Sequence, residues 1–300
     1  MIFYKLAPRA QHSIELERSI FIEDLTLSYS ISFSNRTNKD DFYKIVPTAK
    51  GSIFEYLREG YYDFTRYDLD KLLSHITHEL ITKGESFVVL DEDIKDGSLQ
   101  SWHLRTVPWQ SYRSHKNALT IKQGNNECTR TETFEKEKVL RFSLKDIGLS
   151  GDVFRKAMSR IQRTSLTSRV KPEFFYNKNY DYFQHSKACD LEFLSATKHI
   201  YWNGRSYNDQ YVSVPYVLYK QGKWLQLRLT IFNYLMNKIN EFIKDYSKQY
   251  DLTGEIQYNS CFSMETITTI LSQYSLGEIS TTEIMNYFRK NLITPEESST

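Results

Sequence analysis

From Trp224 to Tyr250, the residues Leu225, Leu229, Phe232, Leu235, Met236, Ile239, Phe242, Ile243 and Tyr246 recur at three- and four-residue steps. That spacing keeps one apolar face along a helix of about seven turns. It is the longest element the sequence predicts. Other helices follow from the same periodicity. Leu69, Leu72, Leu73, Ile76, Leu80 and Ile81 mark one over Asp68–Thr82, with Asp68 placed to cap its start and Gly84 to close its end. Val153, Phe154, Ala157, Met158 and Ile161 mark another over Asp152–Thr164. Two short helices are expected near 264–274 and 281–290. The second opens on a Ser280/Glu283 capping box, with Ile279 and Ile284 placed as a hydrophobic staple.

Between the helices the period changes to that of strands. Ser86–Leu90 is an apolar, β-branched run, DEDIKDG at 91–97 supplies a turn, and SWHLRTV at 101–107 is the returning strand. ALTIK at 118–122, CTRTETF at 128–134 and VLRFSL at 139–144 continue as short antiparallel strands, and FIEDLTLSYSISF at 21–33 alternates as a strand would. The class is therefore α+β, with mixed antiparallel strands and amphipathic helices including the long one near 224–250. Residues 174–180, FFYNKNY, are compatible with either helix or loop.

A chain of 300 residues that is 40% hydrophobic can bury a core of one large or two smaller domains. The net charge of +2, from 39 basic and 37 acidic residues, gives no global field to draw in nucleic acid or an anionic surface, so any such site is local. Cys128, Cys189 and Cys261 are too far apart for a CxxC pair, and three is not a disulfide framework, so a reducing compartment is expected. No segment reaches the roughly 18 apolar residues of a membrane span, and the N-terminus does not read as a signal peptide.

No GxGxxG, GxxxxGK[ST] or GxSxG is present, and 11 glycines leave few places where backbone could cradle a phosphate. His75, His78 and Glu79 (HITHE) put two imidazoles on one helical face, but not in the HExxH order and with no third ligand nearby. The acidic turn Asp91, Glu92, Asp93, Asp96 lacks the glycine and closing glutamate of an EF-hand and reads as a solvated hairpin tip. No metal, cofactor or catalytic residue is expected, and the chain is read as a non-enzyme.

The strongest charge feature is RKAMSRIQRTSLTSRVK at 155–171, which carries Arg155, Lys156, Arg160, Arg163, Arg169 and Lys171 and no acid. Lys156, Arg160 and Arg163 fall four and three apart, which makes one helical face a basic stripe able to follow phosphates without reading sequence. Beside it, Phe174, Phe175, Tyr176, Tyr180 and Tyr182 offer rings for base stacking, so a monomeric nucleic-acid-binding module built on 155–183 is the alternative reading.

Several segments, in order, resemble the portal proteins of tailed bacteriophages. ITKGESFVVLDEDIKDG followed by LQSWHLRTVPWQSY is similar to the family's helix, Gly-containing turn, strand, acidic turn and strand running to a proline stop. KEKVLRFSLKDIGLSGDVFRKAM resembles its strand, Gly-Ser turn and helix, with Arg141 where a histidine is common. VSVPYVLY at 212–219 looks like the Val-Pro segment before a long helix, and LSQYSLGEISTTEIMNYFRKNLITPEE at 271–297 like the C-terminal pattern that starts a short helix. The family's Gly-rich stretch after the second helix is replaced by FFYNKNYDYF.

The resemblance implies a portal-like fold with a wing-like α/β region over residues 1–110, a small β-rich, clip-like region over 111–151 and a helical stem and C-terminal region over 152–300. It also implies a structural homo-oligomer, a ring of about twelve subunits through which double-stranded DNA passes in packaging and ejection. The partners would be a packaging motor (terminase) and a head–tail adaptor, with no membrane. The location would be the virion, after assembly in the host cytoplasm. Arg155, Lys156, Arg160, Arg163, Arg169 and Lys171 would lie in the channel.

Overall fold

The computed structural model describes residues 20–25, 43–46, 53, 58–59, 62–63, 66–125, 128–163, 182–202, 213–258 and 264–292. In chain order these form helix α1 (20–25), strands β1 (Tyr43–Val46), β2 (Arg58–Glu59) and β3 (Tyr62–Asp63), and helix α2 (Arg66–Lys83). Then come β4 (Glu85–Lys95), β5 (Ser98–Thr106), β6 (Ser111–Ser114), β7 (Ala118–Asn125), β8 (Cys128–Glu135) and β9 (Val139–Ser143). Helices α3 (Gly151–Arg163), α4 (Tyr182–Thr197) and α5 (Val214–Lys248), strand β10 (Glu255–Tyr258), and helices α6 (Met264–Ser275) and α7 (Thr281–Leu292) complete the order. The α+β class and the long helix are both present.

The chain divides into two interleaved units, one of Ser28–Gly151 with Thr230–Cys261 and the other of Met1–Leu27, Asp152–Leu229 and Phe262–Thr300. The first is built on sheets. Strand β4 is central in an antiparallel sheet ordered β5-β4-β9, and Ser86–Leu90 is buried throughout. An uninterrupted apolar run suits a strand covered on both faces. On one face, Phe87 and Val89 pack with Val107, Leu119 and Ile121, which brings in the second sheet, ordered β6-β7-β8. On the other, Val88 lies opposite Leu140 and Ser86 opposite Phe142, and this face meets α2 and the second half of α5. There Ser86 Oγ donates to Glu79, Phe142 stacks edge-on to Tyr234, and fully buried Trp102 lies against Tyr246. Trp102 Nε1 donates to the Ile53 carbonyl at 2.7 Å, and β1 pairs antiparallel with β10, so distant parts of the chain close this unit.

The β4–β5 hairpin departs from its expected bounds. The turn is only Asp96-Gly97, both at positive φ (52° and 76°) as a two-residue hairpin turn of type I′ requires, and the strand runs on through the acidic residues. Asp91 and Glu92 survive in a strand because each meets cross-strand or helical donors. Asp91 Oδ2 takes Arg105 at 2.8 Å and His103 at 3.3 Å, and Glu92 takes Lys138 at 2.9 Å and the hydroxyls of Tyr246 and Tyr250. The His103 hydrogen bond, with Arg105 behind it, outweighs burial and holds the Asp91 carboxyl at about 2.

The second unit is helical. Its core gathers Phe21, Phe154, Phe193, Trp202 and Trp224 around Phe21, whose ring lies 5.2 Å from that of Trp202 and 5.6 Å from that of Trp224. Trp202 Nε1 donates to Asp24. The strand expected at 21–33 is thereby corrected at its start: residues 20–25 are helical, with Phe21, Ile22 and Leu25 buried on one face, and 26–33 lie outside the described residues. Helix α5 starts ten residues before the periodic run, because Pro215 sits in its first turn, where a missing N–H breaks no intrahelical bond. Helix α7 opens on the expected capping box: Ser280 N–H donates to Glu283 at 2.6 Å and Glu283 N–H to Ser280 Oγ at 3.2 Å, with Ile284 fully buried.

Candidate functional site

Helix α3 buries Phe154, Ala157, Met158 and Ile161, so its charged residues are turned outward. The basic stripe is only partly free to meet a ligand. Arg160 crosses to α4, where Nε and Nη2 hold Glu192 Oε1 at 3.1 and 2.8 Å and Nη2 also donates to Ser195 Oγ. Arg155 pairs with Asp152 one turn back. Lys156 makes no hydrogen bond or ion pair among the described residues and is exposed. Arg163 ends the helix with its side chain outside the described residues, where Arg169 and Lys171 also lie, together with Phe174, Phe175, Tyr176 and Tyr180. Tyr182 begins α4.

Between α3 and the C-terminal end of α4 runs an open groove of about 740 Å³. Val153, Ala157 and Ala196 supply its apolar surface, and Arg155, Lys156, Arg160, Lys198 and His199 its polar rim, with Asp152 as the one acid. Its size falls in the range of about 300–1,000 Å³ that takes a small ligand or a few side chains of a partner. Lys198 and His199 were invisible to a periodicity argument, because they follow α4 in an irregular turn some forty residues downstream of the stripe. Glu192 and Ser195 were missed for the same reason, since nothing local ties them to α3.

The other candidates resolve into structure. His75 and His78 are exposed on α2, while Glu79 is buried beneath them. Burial pushes the Glu79 carboxyl up, against the opposing pull of Lys83, which it holds at 2.8 Å. Among the described residues, no group of three or more His, Cys, Asp or Glu is placed to hold a metal ion. No helix among them is long and apolar enough to cross a membrane. A buried amine, Lys220 Nζ, donates to Thr197 Oγ1 at 2.8 Å, and desolvation lowers its pKa to about 8.

No protein-family model and no curated protein matches the chain. Among solved structures, the chain is similar to one described as the crystal structure of a HK97 family phage portal protein from Corynebacterium diphtheriae. The identity is 9% and the TM-score 0.40, over 86% of this chain and 95% of that one. A likeness of that degree carries neither the family nor its activity to this chain.

Proposed function

We propose that the chain is a portal-like ring subunit through which double-stranded DNA passes, a structural protein and not an enzyme. What supports the reading is that most of the segments carrying the sequence resemblance fall on elements of the implied kind, in the implied order; the acidic turn, which is strand as far as Lys95, and the Val-Pro segment, which lies inside α5 instead of before it, depart from it. ITKGESFVVL is the end of α2, the Gly84 turn and the start of β4. VLRFSLKDIGLSGDVFRKAM is β9, a turn closed by Gly148 at φ 70°, and α3. The Val-Pro segment opens α5, and the Gly277 pattern opens α7 through its capping box. Short patterns landing on the implied elements in order constrain more together than any one does alone.

In this reading residues 1–110, 111–151 and 152–300 act as wing-like, clip-like and stem regions, and the partners are neighbouring subunits, a packaging motor and a head–tail adaptor in the virion. Phosphates are met by Lys156, Arg163, Arg169 and Lys171, since Arg160 and Arg155 already hold Glu192 and Asp152. Such contacts must be weak and independent of sequence if DNA is to move past them.

The test is negative-stain imaging and sedimentation of the purified chain, with DNA binding measured at two salt concentrations. Rings of about a dozen subunits that bind duplex DNA weakly support the reading. Reversing Arg163 and Lys171 should flatten the salt dependence by about 0.9 for each phosphate no longer neutralised and leave the rings intact. A monomer that binds nucleic acid tightly through 155–183 would instead establish the alternative module.

A further inference from the structure

We propose that the groove between α3 and α4 is a socket for the α6–α7 turn of a second copy of this chain, a head-to-tail contact that rests on the ring reading above. Among the described residues, this turn is the most conspicuous unpartnered apolar point. Leu276 is 70% exposed, the highest of any large hydrophobic side chain among the described residues, so it is not seated in its own chain's groove. It is fixed there by Gly277 at φ 75° and by the Gly277 and Glu278 N–H bonds back to α6, so it is a rigid knob rather than a loose end.

The knob and the groove are complementary in charge. From Met264 to Tyr287 the chain carries Glu265, Glu278 and Glu283 and no Lys, Arg or His. Glu283 is held by its capping box, which leaves Glu278 exposed beside Leu276. Across the groove, Lys198 and His199 are exposed and make no ion pair or hydrogen bond among the described residues. Arg160 is committed to Glu192, which fixes the groove's width rather than offering a charge. The apolar floor of Val153, Ala157 and Ala196 suits one leucine, and Val153 is itself 36% exposed for want of a cover. A small apolar plug with an acidic rim, entering an apolar floor with a basic rim, is the pattern of an anchor ringed by polar contacts.

Knob and socket are different surfaces of one chain, so the contact is heterologous and propagates from copy to copy. It closes into a ring when the rotation per subunit divides a full turn, and otherwise winds into a filament. An isologous pair would use one patch twice and stop at a dimer.

Charge exchange tests this directly in the full-length chain. Leu276→Asp, Lys198→Glu and Glu278→Lys should each lower the subunit association constant, measured by sedimentation equilibrium, about tenfold or more, the equivalent of about 1.4 kcal/mol. All three side chains are exposed, so circular dichroism should be unchanged. The double variant Lys198→Glu/Glu278→Lys should recover most of the affinity, which neither a folding defect nor a DNA contact would produce. If wild type forms rings and the single variants assemble as well as it does, or the double variant is no better than the singles, the proposed socket is overturned and the ring reading stands. Wild type that stays monomeric at every concentration overturns both.

Discussion

Gly151 and Gly84 meet where α3 leaves the sheet unit, and replacing Gly151 by alanine sets two opposed effects against each other. Alanine gains up to about 1 kcal/mol over glycine in a helix, through propensity and a less disordered unfolded chain. Against this, a methyl group at Gly151 would stand 2.9 Å from Gly84 Cα, closer than a Cβ approaches backbone, and a tight 3.3 Å from Gly84 N. Gly84 has little room to yield. It sits at φ 86°, its N–H is bonded to Leu80 O at 2.8 Å and its carbonyl accepts Leu144 N–H at 3.1 Å. Forcing so close an approach costs about 1–3 kcal/mol, and at the first helical residue the propensity gain is at its smallest, so the net is a loss of about 1–2 kcal/mol. Scaled by about 2–4 °C per kcal/mol for a folding unit of this size, differential scanning calorimetry should record a fall in Tm of roughly 3–6 °C. Gly148 is the control. Unlike Gly151 it has positive φ, 70°, and open space around it, so there asparagine should be milder than alanine, whereas at Gly151 the damage should track side-chain size. A Gly151→Ala Tm equal to or above wild type would refute the close-approach argument.

Ile284→Asp should destabilise α7 by about 3 kcal/mol, because a fully buried side chain is lost and a charge takes its place; an unchanged urea midpoint would show that the helix is not packed. Acid titration should expose Asp91. Its folded carboxyl, at about 2, lies below an unfolded value of about 3.9, so its stabilisation is complete above about pH 4 and is lost as the pH falls towards 2. Asp91→Asn should therefore make stability less steep in pH over that window, and an identical slope would remove the His103 and Arg105 interactions from the account.

The sequence was most legible where one period ran uninterrupted and its neighbours were local. The apolar steps of α2, α3 and α5, and the Ser280/Glu283 box, each emerge within a residue or two of expectation except at the start of α5, where Pro215 reads as a break but serves as a helix opening. The misses have physical causes. Phe21 and Leu25 share a face in a strand and in a helix alike, while Ile22, next to Phe21, fits only the helix; the later alternation at 27–33 carried the strand reading, and packing on Trp202 and Trp224 holds 20–25 helical. Asp91 and Glu92 were read as a turn because acids disfavour strands, yet partners on β5, α5 and the turn before β9 hold both. Helix α4 has no expectation from the sequence because YFQHSKACDLEFLSAT shows no clean apolar step of three and four residues. The groove could not be found at all without three dimensions. Its rim joins Lys156 to Lys198 and His199, and only the Arg160–Glu192 pair reveals why those positions are neighbours.

The interleaving of the two units bears on how the chain is made. The sheet unit closes only when β10, at Glu255–Tyr258, reaches β1, and the helical unit needs both α1 near the start and α7 near the end. Neither can finish folding while the other half of the chain is still in the ribosome. At about 5–20 residues per second, the early strands spend on the order of ten seconds or more in the open before their covering helix emerges. Throughout that interval the apolar Phe87–Leu90 strand and the eight-residue β8 are available for pairing with whatever is near. Long-range closure of this kind also makes folding slow. Nascent chains on one message would thus meet one another half-built, and the yield of native subunit should depend on how fast they are translated and how crowded they are.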